Sequence, residues 1–286
     1  MKPLERRLNA FRPDLADERL RGKVDAERFI AGKPMRVSAP VLDMLSAPRP
    51  DGGLDTQLLM GDAVTLFDEH ERFAWVQATR DGYVGYVSME GLGVPEPGPT
   101  HVVTAPRTFV YREPDMKKRM TAALSLGDQV IVSGAATTRG TDYAMLASGE
   151  AMIAAHLRPL GHAVDDFVAV AELLEHTPYL WGGASAFGID CSGLVQLSMR
   201  MAGRQVLRDT DLQEQSVGDR IDVGLDLAGL RRGDLVFWRG HVAVMTDADT
   251  IIHANGHAMA VSRETLREAV ERIAYLYGEP TSFRRP

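Results

Sequence analysis

The run Tyr179-Leu180-Trp181-Gly182-Gly183-Ala184-Ser185-Ala186-Phe187-Gly188-Ile189-Asp190-Cys191-Ser192-Gly193-Leu194 holds the only cysteine of a 286-residue chain. A glycine-rich turn ends at Gly188. Asp190 then stands where a helix N-cap is expected, ahead of a helix over Cys191–Met201 with Leu194, Val195, Ser198 and Met201 on one face. Cys191 would lie in the first helical turn, where unpaired N–H groups and the helix dipole favour a thiolate. On residue type alone, a free cysteine is more often a small buried hydrophobe. The glycines let a substrate backbone approach closely, and that context makes Cys191 a candidate nucleophile.

Such a nucleophile needs a base and a group that orients it, usually distant in sequence. Three strands are expected downstream, over Asp234–Trp238, His241–Thr246 and Thr250–Ala254. His241 opens the second and His253 lies near the end of the third, so a hairpin through Asp247-Ala248-Asp249 would bring them side by side. His241 is the candidate base and His253 the candidate orienter. Upstream, Val164–Glu175 has helical spacing and stops at His176-Thr177-Pro178. Asp165-Asp166 reads as its solvated start, and Ser262 as the cap of a last helix, Arg263–Ile273. Helices followed by strands define an α+β domain over 161–286. His253 and His257 stand four apart, but Gly256 and the strand context argue against a helical zinc site. Gly183–Gly188 lacks the Lys-[Ser/Thr] ending of a phosphate loop. Neither a metal nor a cofactor is expected.

The N-terminal half contains a repeat. Val37-Ser38-Ala39-Pro40 matches Val103-Thr104-Ala105-Pro106, and Pro48 matches Pro114. Leu58-Leu59-Met60-Gly61-Asp62-Ala63-Val64 matches Leu124-Ser125-Leu126-Gly127-Asp128-Gln129-Val130. Every pair is about 66 residues apart, a shared offset that chance rarely gives. Short alternating runs such as Ala63–Phe67, Phe73–Gln77 and Tyr83–Val87, parted by turn signals, have the texture of a small β-barrel. Ala74-Trp75-Val76-Gln77 with Asp81-Gly82-Tyr83-Val84-Gly85-Tyr86-Val87 resembles bacterial SH3-like domains. The second copy, around Asp142–Leu146 and Gly149–Ala154, lacks the Gly-Tyr-x-Gly pattern. The expected organisation is an arm over 1–33, barrels over 34–96 and 100–160 joined by Pro95–Pro99, and the α+β domain. For the arm, a packed segment with a short helix near Leu15–Leu20 and a loose tail are both open.

Apolar residues make up 45% and charged residues 25%, an ordinary globular mix. A net charge of −7 argues against a general nucleic-acid binder. No apolar run reaches the ~18–20 residues of a membrane span. No apolar h-region or cleavage site follows Met1, and a single cysteine makes no internal disulfide, so the expected compartment is the cytoplasm.

The motifs together resemble a known family. Tyr179-Leu180-Trp181-Gly182-Gly183 with Asp190-Cys191-Ser192-Gly193-Leu194, then Gly233-Asp234-Leu235-Val236-Phe237 leading into His241-Val242-Ala243-Val244, then Ile251-Ile252-His253-Ala254, are similar to three ordered blocks of the NlpC-type cysteine peptidases. The resemblance spans about 163–277. It implies a papain-like catalytic domain, hydrolysis of peptide bonds in peptidoglycan, Cys191 as nucleophile, His241 as base and His253 as third member. With the two SH3-like barrels included, the chain resembles the subgroup that cleaves free murein peptides between γ-D-glutamate and a diamino acid and requires an unblocked N-terminal L-alanine.

In that subgroup the first barrel leans over the active site and helps bind the alanine ammonium. The resemblance therefore implies substrate contacts for Asp190, Ser192, Thr210 and Tyr179, and for Asp62 and Tyr83 of the first barrel. A buried ammonium needs carboxylates and acceptors, which Asp190 and Asp62 would supply. Asp62 stands where the family has Glu, and Thr210, in Arg208-Asp209-Thr210, where it has Ser. Tyr179 or the Cys191 N–H would stabilise an oxyanion. Structural alternatives stay open: Asp190 as a plain N-cap, Asp62 as a turn residue like its repeat partner Asp128, Tyr83 and Tyr179 as packing residues, and Thr210 as a local cap. The expected function is murein-peptide recycling. A secreted hydrolase or amidase of intact wall and a non-catalytic binding module are the rivals.

Overall fold

The computed structural model describes residues 4–224 and 227–286. The chain divides into two compact units, Met1–Leu160 and Gly161–Pro286.

The first unit contains two barrels of one design. Lys33–Val37, Val41–Leu45, Leu54–Leu59, Ala63–His70, Phe73–Ala78, Val84–Ser88 and Leu92–Gly93 form a seven-stranded sheet. The second barrel repeats the plan as a five-stranded sheet and a three-stranded one. Val41–Leu45 and Leu54–Leu59 recur as Arg107–Tyr111 and Met120–Ser125, the repeat offset read from sequence. The Gly-Asp pair explains why the match is strongest where it is. Gly61 donates to the Val37 carbonyl from a left-handed backbone (φ 85°), and Asp62 accepts from the Leu59 N–H at 2.9 Å. Gly127 (φ 89°) and Asp128 do the same to Val103 and Ser125. Only glycine adopts that backbone at little cost, and a carboxylate is what reaches back across the turn.

Asp128 also joins the two copies: its second oxygen accepts from the Met60 N–H at 3.0 Å, and Gln129 donates to the Met60 carbonyl at 2.8 Å. Residues 4–30 form no α-helix. Leu15–Asp17 is a strand parallel to Arg28–Ile30, and Glu18–Leu20 is a 3-10 turn capped by Asp17. Helical spacing over Leu15–Leu20 is overridden by packing: Ala10 and Leu15 bury against Phe67 and Trp75, and the Arg12 guanidinium lies 4.3 Å over the Trp75 ring.

In the second unit, α1 (Phe167–Leu173), α2 (Cys191–Met201) and α3 (Thr210–Ser216) precede the sheet. Its strands are β1 (Asp219–Ile221), β2 (Leu235–Trp238), β3 (His241–Met245), β4 (Thr250–Asn255) and β5 (Ala260–Thr265). Helix α4 (Leu266–Tyr277) and β6 (Ser282–Arg285) follow. The antiparallel order is β1-β6-β2-β3-β4-β5. α2 packs on β3 and β4 and is buried on all sides except at Arg200. The last helix differs from expectation. Residues 260–265 form a strand paired with β4, and α4 starts after Thr265, whose side chain and Glu268 make a capping box. Likewise α1 starts after Asp166, which caps it. Among the described residues no helix is long and apolar enough to cross a membrane.

Replacing Asp128 by Ala removes two hydrogen bonds to a carboxylate, each worth about 1.5–3 kcal/mol. The variant is expected to lose about 3–6 kcal/mol in denaturant unfolding. Asp142→Ala, at an exposed hairpin position, is expected to stay near wild type.

Candidate active site

The site is built from the start of α2. Asp190 is its N-cap, and both carboxylate oxygens are fully engaged. Oδ1 accepts from the Gly193 N–H at 2.7 Å, the Ser192 hydroxyl at 3.2 Å and Arg208 Nη1 at 3.0 Å. Oδ2 accepts from the Gly182 N–H at 2.9 Å and Arg208 Nη2 at 2.7 Å. Arg208 is 1% exposed and also donates to Ser192 Oγ and the Gly183 carbonyl. A Cβ on Gly193 would lie 2.4 Å from the Gly183 carbonyl oxygen, and one on Gly183 would lie 2.5 Å from that of Gly188. Glycine at these places lets the turn lie directly on the helix start. Asp190 is thus the expected N-cap and is also ion-paired, and an ammonium would join partners already present. Arg208 was legible only as part of Arg208-Asp209-Thr210, with no signal that it is buried.

Cys191 is buried, with Sγ 3.9 Å from Thr210 Oγ1 at the first position of α3. Burial pushes the thiol up to about 11, and the Asp190 carboxylate acts in the same direction. The Val242 N–H, the Thr210 hydroxyl and Arg208 pull the other way. Burial and Asp190 thus oppose the thiolate that the helix dipole favours. Tyr179 borders the same cleft, its phenol pushed up to about 12 by burial and then by Cys191 and Asp190.

The two histidines meet as expected: His241 Nε2 and His253 Nδ1 are 2.8 Å apart. Burial pushes the His241 imidazole down to about 3, with His253 and Arg272 adding to the effect and Glu264 opposing it. His253 is fully buried, and its Nε2 lies 2.7 Å from Glu264 Oε1 on β5. That oxygen also accepts from Arg272 of α4. The strand register makes this contact: His253 pairs with Ser262, so Glu264 lies on the same face one diagonal step away. Sequence reading missed Glu264 because 263–273 carries a helical pattern that runs back into the strand.

A cleft of about 470 Å³ is lined by Tyr179, Trp181, Cys191, His241, Arg272 and Tyr277, among others. Cys191, His241 and Tyr179 thus share this cleft, Thr210 touches the Cys191 sulfur, and Ser192 binds Asp190. Asp62 and Tyr83 belong to the first unit. Asp62 is buried and ion-paired with Arg80 at 2.8 Å, a turn residue like Asp128 rather than a free carboxylate. Tyr83 is buried in the barrel core.

Residues 176–276 match the NlpC/P60 family, and residues 44–92 match the bacterial dipeptidyl-peptidase SH3 domain. The chain carries an NlpC/P60 domain of papain-like fold, preceded by an SH3-like region. It is similar to a protein named dipeptidyl-peptidase 6 from Lysinibacillus sphaericus, 26% identical over 251 residues, covering 81% of this chain and 91% of the relative. It is also similar to the γ-D-glutamyl-L-lysine dipeptidyl-peptidase of Bacillus subtilis, 24% identical over 242 residues, covering 77% and 78%. The crystal structure of an NlpC/P60 family protein from Bacillus cereus shares the fold with a TM-score of 0.72. It is 20% identical, with 88% of this chain and 99% of that one covered.

Arg208→Met leaves the Asp190 charge buried without its partner, a loss of about 3–5 kcal/mol for such pairs. The expected result is a large fall in the denaturant midpoint, with Arg208→Lys intermediate because a point charge replaces the fork.

Proposed function

We propose that this chain is a cysteine peptidase that hydrolyses the γ-D-glutamyl–diamino acid bond of murein peptides bearing a free N-terminal L-alanine. We place it in cell-wall peptide recycling, in the cytoplasm, where an unpaired thiol stays reduced. The observation that carries the reading is the single thiol at a capped helix start, sharing a cleft with a histidine that is hydrogen-bonded to a second histidine. The names of the two relatives support the substrate class, since each match extends well beyond the 176–276 domain.

The chemistry follows from the geometry. As Sγ of Cys191 attacks the γ-carbonyl carbon, its proton passes to His241 and a C–S bond forms. The Cys191 N–H or the Tyr179 phenol meets the oxyanion. Collapse breaks the C–N bond, and His241 returns the proton to the departing amine. Water, deprotonated by His241, then cleaves the thioester and releases L-Ala-γ-D-Glu. Thr210 Oγ1 lies 3.9 Å from the sulfur, and Ser192 Oγ is held by Asp190 and Arg208. Asp190 holds the helix start, and an ammonium contact there is an added part of the proposal.

The free tripeptide L-Ala-γ-D-Glu-meso-diaminopimelate and its N-acetylated form, assayed side by side, test the reading. Release of diaminopimelate from the free peptide alone, lost in Cys191→Ala, is the expected outcome. Equal cleavage of both would favour a hydrolase of intact wall. Cleavage of neither would sink the peptidase reading on this substrate class.

A further inference from the structure

The catalytic histidines continue into a chain of contacts that the Cys-His-His set does not include. His241 Nε2 meets His253 Nδ1 at 2.8 Å, and His253 Nε2 meets Glu264 Oε1 at 2.7 Å. The same oxygen accepts from Arg272. The order of donors is forced from the far end. A carboxylate only accepts, so His253 carries its hydrogen on Nε2. Neutral His253 then offers a lone pair at Nδ1, and the hydrogen in the 2.8 Å contact sits on His241 Nε2. Neutral His241 is left with its lone pair on Nδ1, the nitrogen that remains to take the thiol proton.

We propose that Glu264, held in place by Arg272, is a positioning residue that selects the tautomers of both histidines and so presents a basic His241 Nδ1 to Cys191. The inference rests on the peptidase reading for its catalytic consequence, but the tautomer claim stands on geometry alone. Burial pushes the Glu264 carboxyl up, yet hydrogen bonds from His253 and Arg272 more than offset this and hold it below the usual range. It therefore stays an acceptor at neutral pH. Arg272 donates to the same carboxylate oxygen and so holds it against His253.

Other groups also face the pair. His241 comes from β3, His253 from β4, Glu264 from β5 and Arg272 from α4. Cys191 comes from α2, with its Asp190 cap answered by Arg208, and Tyr179 borders the cleft. Of these, Glu264 and Arg272 act on His241 with opposite sign. Removing each should therefore move the same titration in opposite directions, which a merely structural pair would not do.

The test uses the full chain and three variants. Because Cys191 is the only cysteine, the pH dependence of its alkylation by iodoacetamide reports the relay without any peptide substrate. Hydrolysis of the free tripeptide reports its catalytic effect. Glu264→Leu is expected to lower kcat by roughly 10–100-fold, within the range general acid–base catalysis supplies, with little change in KM. Glu264→Gln keeps the acceptor and should restore most of that loss, while the acid limb of both profiles moves down by roughly half to one pH unit. Arg272→Met should move it up by a similar amount. Unchanged limbs in both Glu264→Gln and Arg272→Met, or equal kcat losses in Glu264→Leu and Glu264→Gln, would overturn the proposal. Should Glu264→Leu fail to fold, the opposed shifts of the other two still decide. Wild-type protein that is alkylated with the expected profile but leaves the peptide intact would overturn the peptidase reading and leave the tautomer claim standing.

Discussion

The buried pair of Asp190 and Arg208 sets the position of the chain segments that meet at the start of α2. Two charges taken out of water cost several kcal/mol each unless their hydrogen-bonding capacity is filled. Here it is filled on the carboxylate side: two backbone amides, one hydroxyl and both arms of the guanidinium meet two oxygens. Those donors come from the Gly182 turn, the first turn of α2 and the segment before α3. One ion pair therefore ties three separate pieces of chain together, and Cys191 stands where they meet. The arrangement tolerates no Cβ at Gly183 or Gly193, which explains the glycines on either side of the cysteine.

Much of this was legible, and the failures have physical causes. The repeat was readable because a turn that needs a left-handed glycine and a back-reaching carboxylate admits few substitutions, so Gly61-Asp62 and Gly127-Asp128 stand out. The histidine pair was readable because a short turn between two strands fixes which residues become neighbours. Glu264 was hidden because helix periodicity in 266–277 runs back into the strand before it, and only the sheet register shows that it faces His253. Arg208 was hidden because an isolated arginine in a polar segment reads as a surface residue. In the arm, burial of Leu15 and Ala10 against Phe67 and Trp75 outweighs the weak helical preference of Leu15–Leu20.

The Asp190 carboxylate that helps to place the thiol also works against its ionisation, while Arg208 favours it. A helix N-terminus favours a thiolate by at most a couple of kcal/mol. Burial and the neighbouring carboxylate oppose it, and for Cys191 they win, leaving the thiol raised to about 11. Burial moves the His241 imidazole the opposite way, to about 3. Both displacements favour the uncharged form of each group. In the proposed reaction, charge separates as the sulfur attacks and its proton passes to His241. The geometry that matters is then the direction of one lone pair on His241. On the proposed tautomers, that direction is set through the buried His253 ring and the Glu264 carboxylate beyond it.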